Sequence, residues 1–168
     1  DGGDRLLGGR AADYVAGGNA DDKLVASTGN DSLSGDGGTL DRVENTSSGN
    51  QTLGAAQLTD ADTVALATIE RASLSGDGGG NAIDADAFAG AVTLFGAGGN
   101  DTLNGAAGAD SLDGGTSTDL LVKTSTANQT LSDTQHTVAG SGTDSLASIE
   151  EASLSGGSGG QRIDASAF

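Results

Sequence analysis

Seven aspartates keep a nine-residue beat: Asp4, Asp13, Asp22 and Asp31, then, after a gap, Asp101, Asp110 and Asp119. Each is followed two places on by an aliphatic residue, as in Asp22-Lys23-Leu24 and Asp101-Thr102-Leu103, and most are preceded by glycine or other small residues. Acids held in register point to cation binding, where low-complexity acidity would point to disorder or bare solubility. The unit reads as six turn residues followed by three strand residues. Glycine in the turn permits positive φ without steric cost, so backbone carbonyls can converge on a shared centre to which the sixth-place aspartate adds a carboxylate. On this reading the metal-ligating acids are Asp4, Asp13, Asp22, Asp31, Asp41, Asp101, Asp110 and Asp119. The turn glycines that join them are Gly8, Gly9, Gly17, Gly18, Gly29, Gly96, Gly99, Gly105, Gly108 and Gly114.

The ligand chemistry selects the ion. With no cysteine and one histidine, the donor set is oxygen only, which excludes a typical zinc site. Cages of carboxylates and backbone carbonyls suit calcium, whereas magnesium keeps several of its waters. Two units per coil would place Asp4 over Asp22, Asp13 over Asp31 and Asp101 over Asp119. Neighbouring strands lie about 4.8 Å apart, so unpaired carboxylates stacked this way repel by roughly 3 kcal/mol at an effective dielectric near 20. That is large against a total stability of about 5–15 kcal/mol. Several calcium ions, each shared between turns, would turn the repulsion into attraction.

The elements that must position these acids follow from composition. The 168 residues include 30 glycines, three Phe, one Tyr and no Trp, Met or Pro. Large core fillers are scarce, so single aliphatics at regular intervals must form the core, as in a narrow solenoid. The absence of proline spares every ladder N–H. The expected fold is all-β: one continuous right-handed parallel β-solenoid (β-roll or β-helix) of about eight or nine coils. A longer repeat of about 80 residues overlies the short one: Asn50-Gln51-Thr52-Leu53 returns as Asn128-Gln129-Thr130-Leu131, and Ile69-Glu70 as Ile149-Glu150. This divides the chain into acidic blocks at 1–44 and 96–122 and longer modules at 45–95 and 123–168. The chain opens inside a repeat, so a fragment of a longer protein is expected.

The sequence resembles the RTX (repeats-in-toxin, hemolysin-type) calcium-binding proteins, whose unit is Gly-Gly-x-Gly-x-Asp-x-aliphatic-x. Gly96-Ala97-Gly98-Gly99-Asn100-Asp101-Thr102-Leu103-Asn104 and Gly105-Ala106-Ala107-Gly108-Ala109-Asp110-Ser111-Leu112-Asp113 carry the resemblance best. It implies a β-roll with calcium between successive turns, and export by a type I system to the cell surface or the medium. Departures are also visible. Arg10 and Ala11 replace the third and fourth turn residues of their unit, and Asp41 follows Asp31 by ten residues, which implies an insertion. In the longer modules Gln51 and Gln129, with Ala82 and Arg162, stand where acids are expected, so those turns read as metal-free, with Arg162 supplying a fixed positive charge. Asp144 lies in an isolated Thr-Asp-Ser-Leu match that lacks an evident stacking partner. Phe88 and Phe168 read as core plugs.

A net charge of −17 excludes the basic surface that nucleic acid requires, and no stretch reaches the apolar length of a membrane span. The Asp-Ser-Leu triplets at 31, 110 and 144 follow from the repeat and mark no serine nucleophile. One histidine, His136, cannot build a His-Glu-x-x-His zinc centre and reads as a locally hydrogen-bonded side chain. The chain is thus expected to be a non-enzymatic, secreted or surface-exposed calcium-binding module. The alternatives are a fibre or surface-layer subunit stacking end to end on copies of itself, or the accessory region of an exported enzyme whose catalytic domain lies elsewhere.

Overall fold

Aliphatic residues spaced by one inward and one outward position, closed off by glycine-rich turns, give short strands and nothing else. The computed structural model describes residues 2–168, and these form nineteen strands in two sheets without a helix. In chain order the first five are β1 (Arg5–Leu7), β2 (Tyr14–Asn19), β3 (Lys23–Val25), β4 (Ser32–Gly37) and β5 (Arg42–Thr46). They alternate between the sheets, odd strands in the first and even strands in the second. β1 pairs with β3 in parallel at Leu6↔Leu24, and β2 with β4 at Val15↔Leu33. One coil therefore spans two nine-residue units.

The longer module breaks this alternation. β6 (Gln51–Gly54), β7 (Gln57–Thr59) and β8 (Thr63–Ala67) form an antiparallel meander that lies between β4 and β10 (Ala82–Ala87) in the second sheet. Across the core, β5 pairs directly with β9 (Arg71–Ser75). Regular winding resumes with β11 (Ala91–Phe95), β12 (Thr102–Asn104), β13 (Ser111–Asp113) and β14 (Leu120–Ser125). A second meander follows in β15 (Gln129–Ser132), β16 (Gln135–Val138) and β17 (Gly142–Ala147), now in the first sheet, before β18 (Glu151–Gly156) and β19 (Ile163–Ala167). The solenoid class anticipated from the repeat is the class adopted. The count is about seven and a half coils rather than eight or nine, because each meander spends three strands on one half-coil.

The core is a stack of single aliphatics. Leu24, Leu33, Leu53, Leu58, Leu74, Leu103, Leu112 and Leu121 are fully buried, each contributing roughly 1.5–3 kcal/mol on leaving water. Phe88 is buried as expected, whereas Phe168 is exposed, because β19 is an edge strand with no further coil against it in this structure. Tyr14 points outward. None of the described residues belongs to a helix long and apolar enough to cross a membrane.

Candidate metal centre

Parallel stacking at a fixed register places the turn acids over one another, and each uses one carboxylate oxygen in the same way. The N–H of Asp4 donates to Asp22 Oδ1 (2.7 Å), that of Asp22 to Asp41 Oδ1 (2.6 Å), and that of Asp41 to Glu70 Oε2 (2.9 Å). On the opposite edge Asp13 donates to Asp31 Oδ1 (3.0 Å). Further along that edge Asn81 donates to Asp101 Oδ1 (2.7 Å), Asp101 to Asp119 Oδ1 (2.8 Å) and Asp119 to Glu150 Oε2 (3.0 Å). A short third ladder runs from the Val92 N–H to Asp110 Oδ1 (2.9 Å) and from the Asp110 N–H to Asp144 Oδ1 (3.1 Å). Charge-assisted bonds of this kind are short and offset part of the repulsion between stacked carboxylates.

The second oxygen is left over. Oδ2 of Asp22, Asp41, Asp101, Asp110 and Asp119 is buried with no hydrogen-bond partner, a costly state for a carboxylate. Four of these oxygens lie in a common cradle. A Cβ on Gly17 would come within 2.5 Å of Asp22 Oδ2 and 2.8 Å of the Gly35 carbonyl one coil on. Gly35 meets Asp41 Oδ2 and the Thr68 carbonyl, Gly96 meets Asp101 Oδ2 and the Gly114 carbonyl, and Gly114 meets Asp119 Oδ2 and the Ser148 carbonyl. Glycine is required here by close approach. At the fourth turn place it is required by conformation, since Gly99 and Gly108 have φ of 89° and 107°.

Burial raises the Asp101 carboxyl above its usual range against the opposing Asn81 N–H, with Asp119 and Asp77 adding repulsion. Asp110 is raised to about 6, chiefly by burial; Asp144 adds repulsion, and the Val92 N–H, Lys123 and the Ala106 N–H pull the other way.

The remaining expected ligands are placed less uniformly. Asp4 is exposed and Asp13 half-buried on the first coil. Asp31 Oδ2 is taken by the Ser27 hydroxyl (3.1 Å), Gly8 lies beside Asp31 rather than its own Asp13, and the Gly9 N–H donates to Ser27. Gly29 donates its N–H to Asp62 of the meander (2.9 Å). Gly18 lies in an open part of its unit with φ of 103°, and the polar atom nearest the Cβ position of Gly105 is Asp110 Oδ2.

Sequence reasoning missed Glu70 and Glu150, the last members of two ladders, and left Asp144, the last member of another, without a stacking partner. Glu70 and Glu150 had a signal: each stands two places before a small inward residue, Ala72 or Ala152, as the aspartates do before their aliphatics. Four expectations need correction. Gln51 is not in the acid's place; it pairs in register with Ile83 and is buried in the core column. The acid's place before β10 is held by Asn81, not Ala82, since Ala82 aligns with Thr102. Arg162 does not enter its turn: its exposed guanidinium bonds Asp164 Oδ2 at 2.6 Å. Asp144, in turn, does have a stacking partner in Asp110.

No group of three or more His, Asp or Glu among the described residues could hold an ion by side chains alone. Any ion must therefore draw on backbone carbonyls, and the cradles supply them: an orphaned carboxylate oxygen and a carbonyl of the next coil, with no nitrogen or sulfur donor. The residues fit a hard divalent cation. The chain is thus a β-solenoid of stacked acidic turns. A family model of the RTX calcium-binding nonapeptide repeat matches it in four copies, over residues 1–33, 16–39 and 89–121. The chain carries RTX calcium-binding repeats over those residues. No curated protein matches it.

Proposed function

We propose that this chain is a calcium-dependent structural module, secreted or displayed at a cell surface, whose contribution is rigidity rather than catalysis. The observation that carries this reading is the set of buried, unpartnered Oδ2 atoms on Asp22, Asp41, Asp101 and Asp119, each beside a glycine cradle with a carbonyl from the next coil. Calcium ions between these turns would take the free carboxylate oxygens together with turn carbonyls, including those of Gly35 and Gly114. Binding favours the folded chain alone, because only stacking brings donors from separate coils together. Export into a calcium-rich medium fits such a chain, and the only histidine is fully buried, away from any substrate.

The test is a melt followed by circular dichroism in calcium and in excess chelator, with a metal count per chain. Calcium should raise the melting temperature sharply and bind in more than one equivalent. An identical melt in both conditions, with no bound calcium, overturns the reading.

A further inference from the structure

The turn Gly105-Ala106-Ala107-Gly108-Ala109-Asp110 has the glycines and the acid of the repeat, and yet a cation of the chain's own already stands on it. Lys123 lies one coil on, two places beyond the Leu103↔Leu121 pair and so over Gly105. It points inward and is 8% exposed. Its ammonium donates to the carbonyl oxygens of Gly105 (2.6 Å) and Ala106 (2.9 Å) and to Asp86 Oδ1 (2.9 Å). Those three acceptors match the three donors of an ammonium group, the condition under which burying one is tolerable.

The other turns are arranged differently. At Gly17, Gly35, Gly96 and Gly114 the free acid oxygen faces a carbonyl of the next coil; at Gly105 no carbonyl is among the nearest atoms, and the carbonyls of Gly105 and Ala106 are turned to the lysine. The matching residue of the first longer module is Asn45, which aligns with Leu74 as Lys123 does with Leu154. Asn45 bonds Gln51 and Asp60 instead of turn carbonyls.

We propose that Lys123 is a built-in substitute for calcium at the Gly105–Asp110 turn, which keeps its shape without metal while the turns of Asp22, Asp41, Asp101 and Asp119 require it. This rests on the calcium reading of those four turns. A hard cation and an ammonium compete for the same carbonyls, so removing the ammonium should open a site built from the Gly105 and Ala106 carbonyls, Asp110 and Asp86.

The experiment counts calcium per chain by titration calorimetry and native mass spectrometry for the unaltered protein, Lys123→Ala and Lys123→Met; methionine keeps most of the stem and removes the charge. One additional calcium ion per chain in Lys123→Ala is expected, with both variants melting well below the unaltered protein in chelator. Saturating calcium should close that gap for Lys123→Ala more than for Lys123→Met. A folded Lys123→Ala that binds the same number of ions as the unaltered protein overturns the proposal, as do variants that stay unfolded at millimolar calcium. If the unaltered protein binds no calcium, the reading of the four turns fails first, a result distinct from unchanged stoichiometry in the variants.

Discussion

The meanders β6–β8 and β15–β17 are one device built twice, on opposite sheets and with different cores. Seven half-coils separate their starts, an odd number, so the second opens in the sheet that the first left untouched. Each sheet thereby gains two strands, and the sheets stay matched at ten and nine. In the first meander the inward residues Leu53, Leu58 and Val64 pack together in register. In the second the corresponding residues are Leu131, His136 and Asp144. His136 is fully buried, with Nδ1 3.0 Å from Asp144 Oδ2 and Nε2 3.1 Å from Gln129 Oε1. The Gln129 amide donates to the Ser155 carbonyl (2.9 Å), which leaves its oxygen facing the ring, so His136 is held between Asp144 and Gln129. The same backbone accepts an apolar or a polar filling. What differs is the neighbour it offers the acidic turns: Asp31 stacks on Val64, but Asp110 stacks on a second acid, Asp144. The His136 imidazole and the Lys123 ammonium accompany that extra acid.

The sharpest way to break the comparison is to convert one core into the other. His136→Leu alone strands the Asp144 carboxylate in the interior and should cost about 3–5 kcal/mol in urea unfolding. Adding Asp144→Val rebuilds the Leu58–Val64 pairing, and the double variant should recover part of that loss, the remainder reflecting the Asp110 N–H and Gln129 Oε1 left without partners. Failure of the second substitution to rescue the first would mean that the two meanders are not interchangeable in packing.

A smaller effect distinguishes the two blocks by pH. Without metal, burial holds Asp110 at about 6, against about 3.9 for an unfolded aspartate. Between those values the folded chain keeps a proton that the unfolded chain has released, so stability falls as pH rises through the window and is fullest below it. The loss attributable to this one group is of order 1–2 kcal/mol once solvent screening is allowed for. In chelator, the unfolding free energies of the unaltered protein and Asp110→Asn, measured from pH 4 to 7, should differ in slope over that interval. Parallel curves would remove Asp110 as the cause.

The acidic blocks were legible from the chain because one period fixes everything in them. Leu24, Leu33, Leu103, Leu112 and Leu121 all reach the core, and Asp4, Asp13 and Asp101 stack on the partners that the spacing assigns. The meanders were not legible, because an antiparallel excursion keeps the aliphatic spacing near ten while changing which strand neighbours which. Gln51 looks like a turn residue by type, and only the register with Ile83 reveals a core position satisfied by Asn45 and the Ser75 carbonyl. The fixed positive charge expected of Arg162 in its own turn is not found there, and the lysine that does reach a turn stands on Gly105 and Ala106, in a turn read from the sequence as metal-binding. Lys123 reaches that turn across coils.

Thr68 and Ser148 occupy equivalent turns just before Ile69-Glu70 and Ile149-Glu150, and both are held at positive φ, 49° and 51°. Left-handed backbone costs a non-glycine residue roughly 1–2 kcal/mol. The two differ in what their side chains return. Thr68 Oγ1 accepts the Asp36 N–H at 2.7 Å and donates to the Ala67 carbonyl, while among the described residues no hydrogen bond is found for the Ser148 hydroxyl. Ser148→Gly should therefore stabilise the chain by about 0.5–1 kcal/mol, after the entropy that glycine adds to the unfolded state. Thr68→Gly should be neutral or slightly destabilising, because relief of strain is offset by a lost hydrogen bond of about 1 kcal/mol. Thermal melts of both variants in saturating calcium would read this difference. Equal shifts would mean that the Thr68 hydroxyl adds nothing, leaving the first meander distinguished from the second by its core alone.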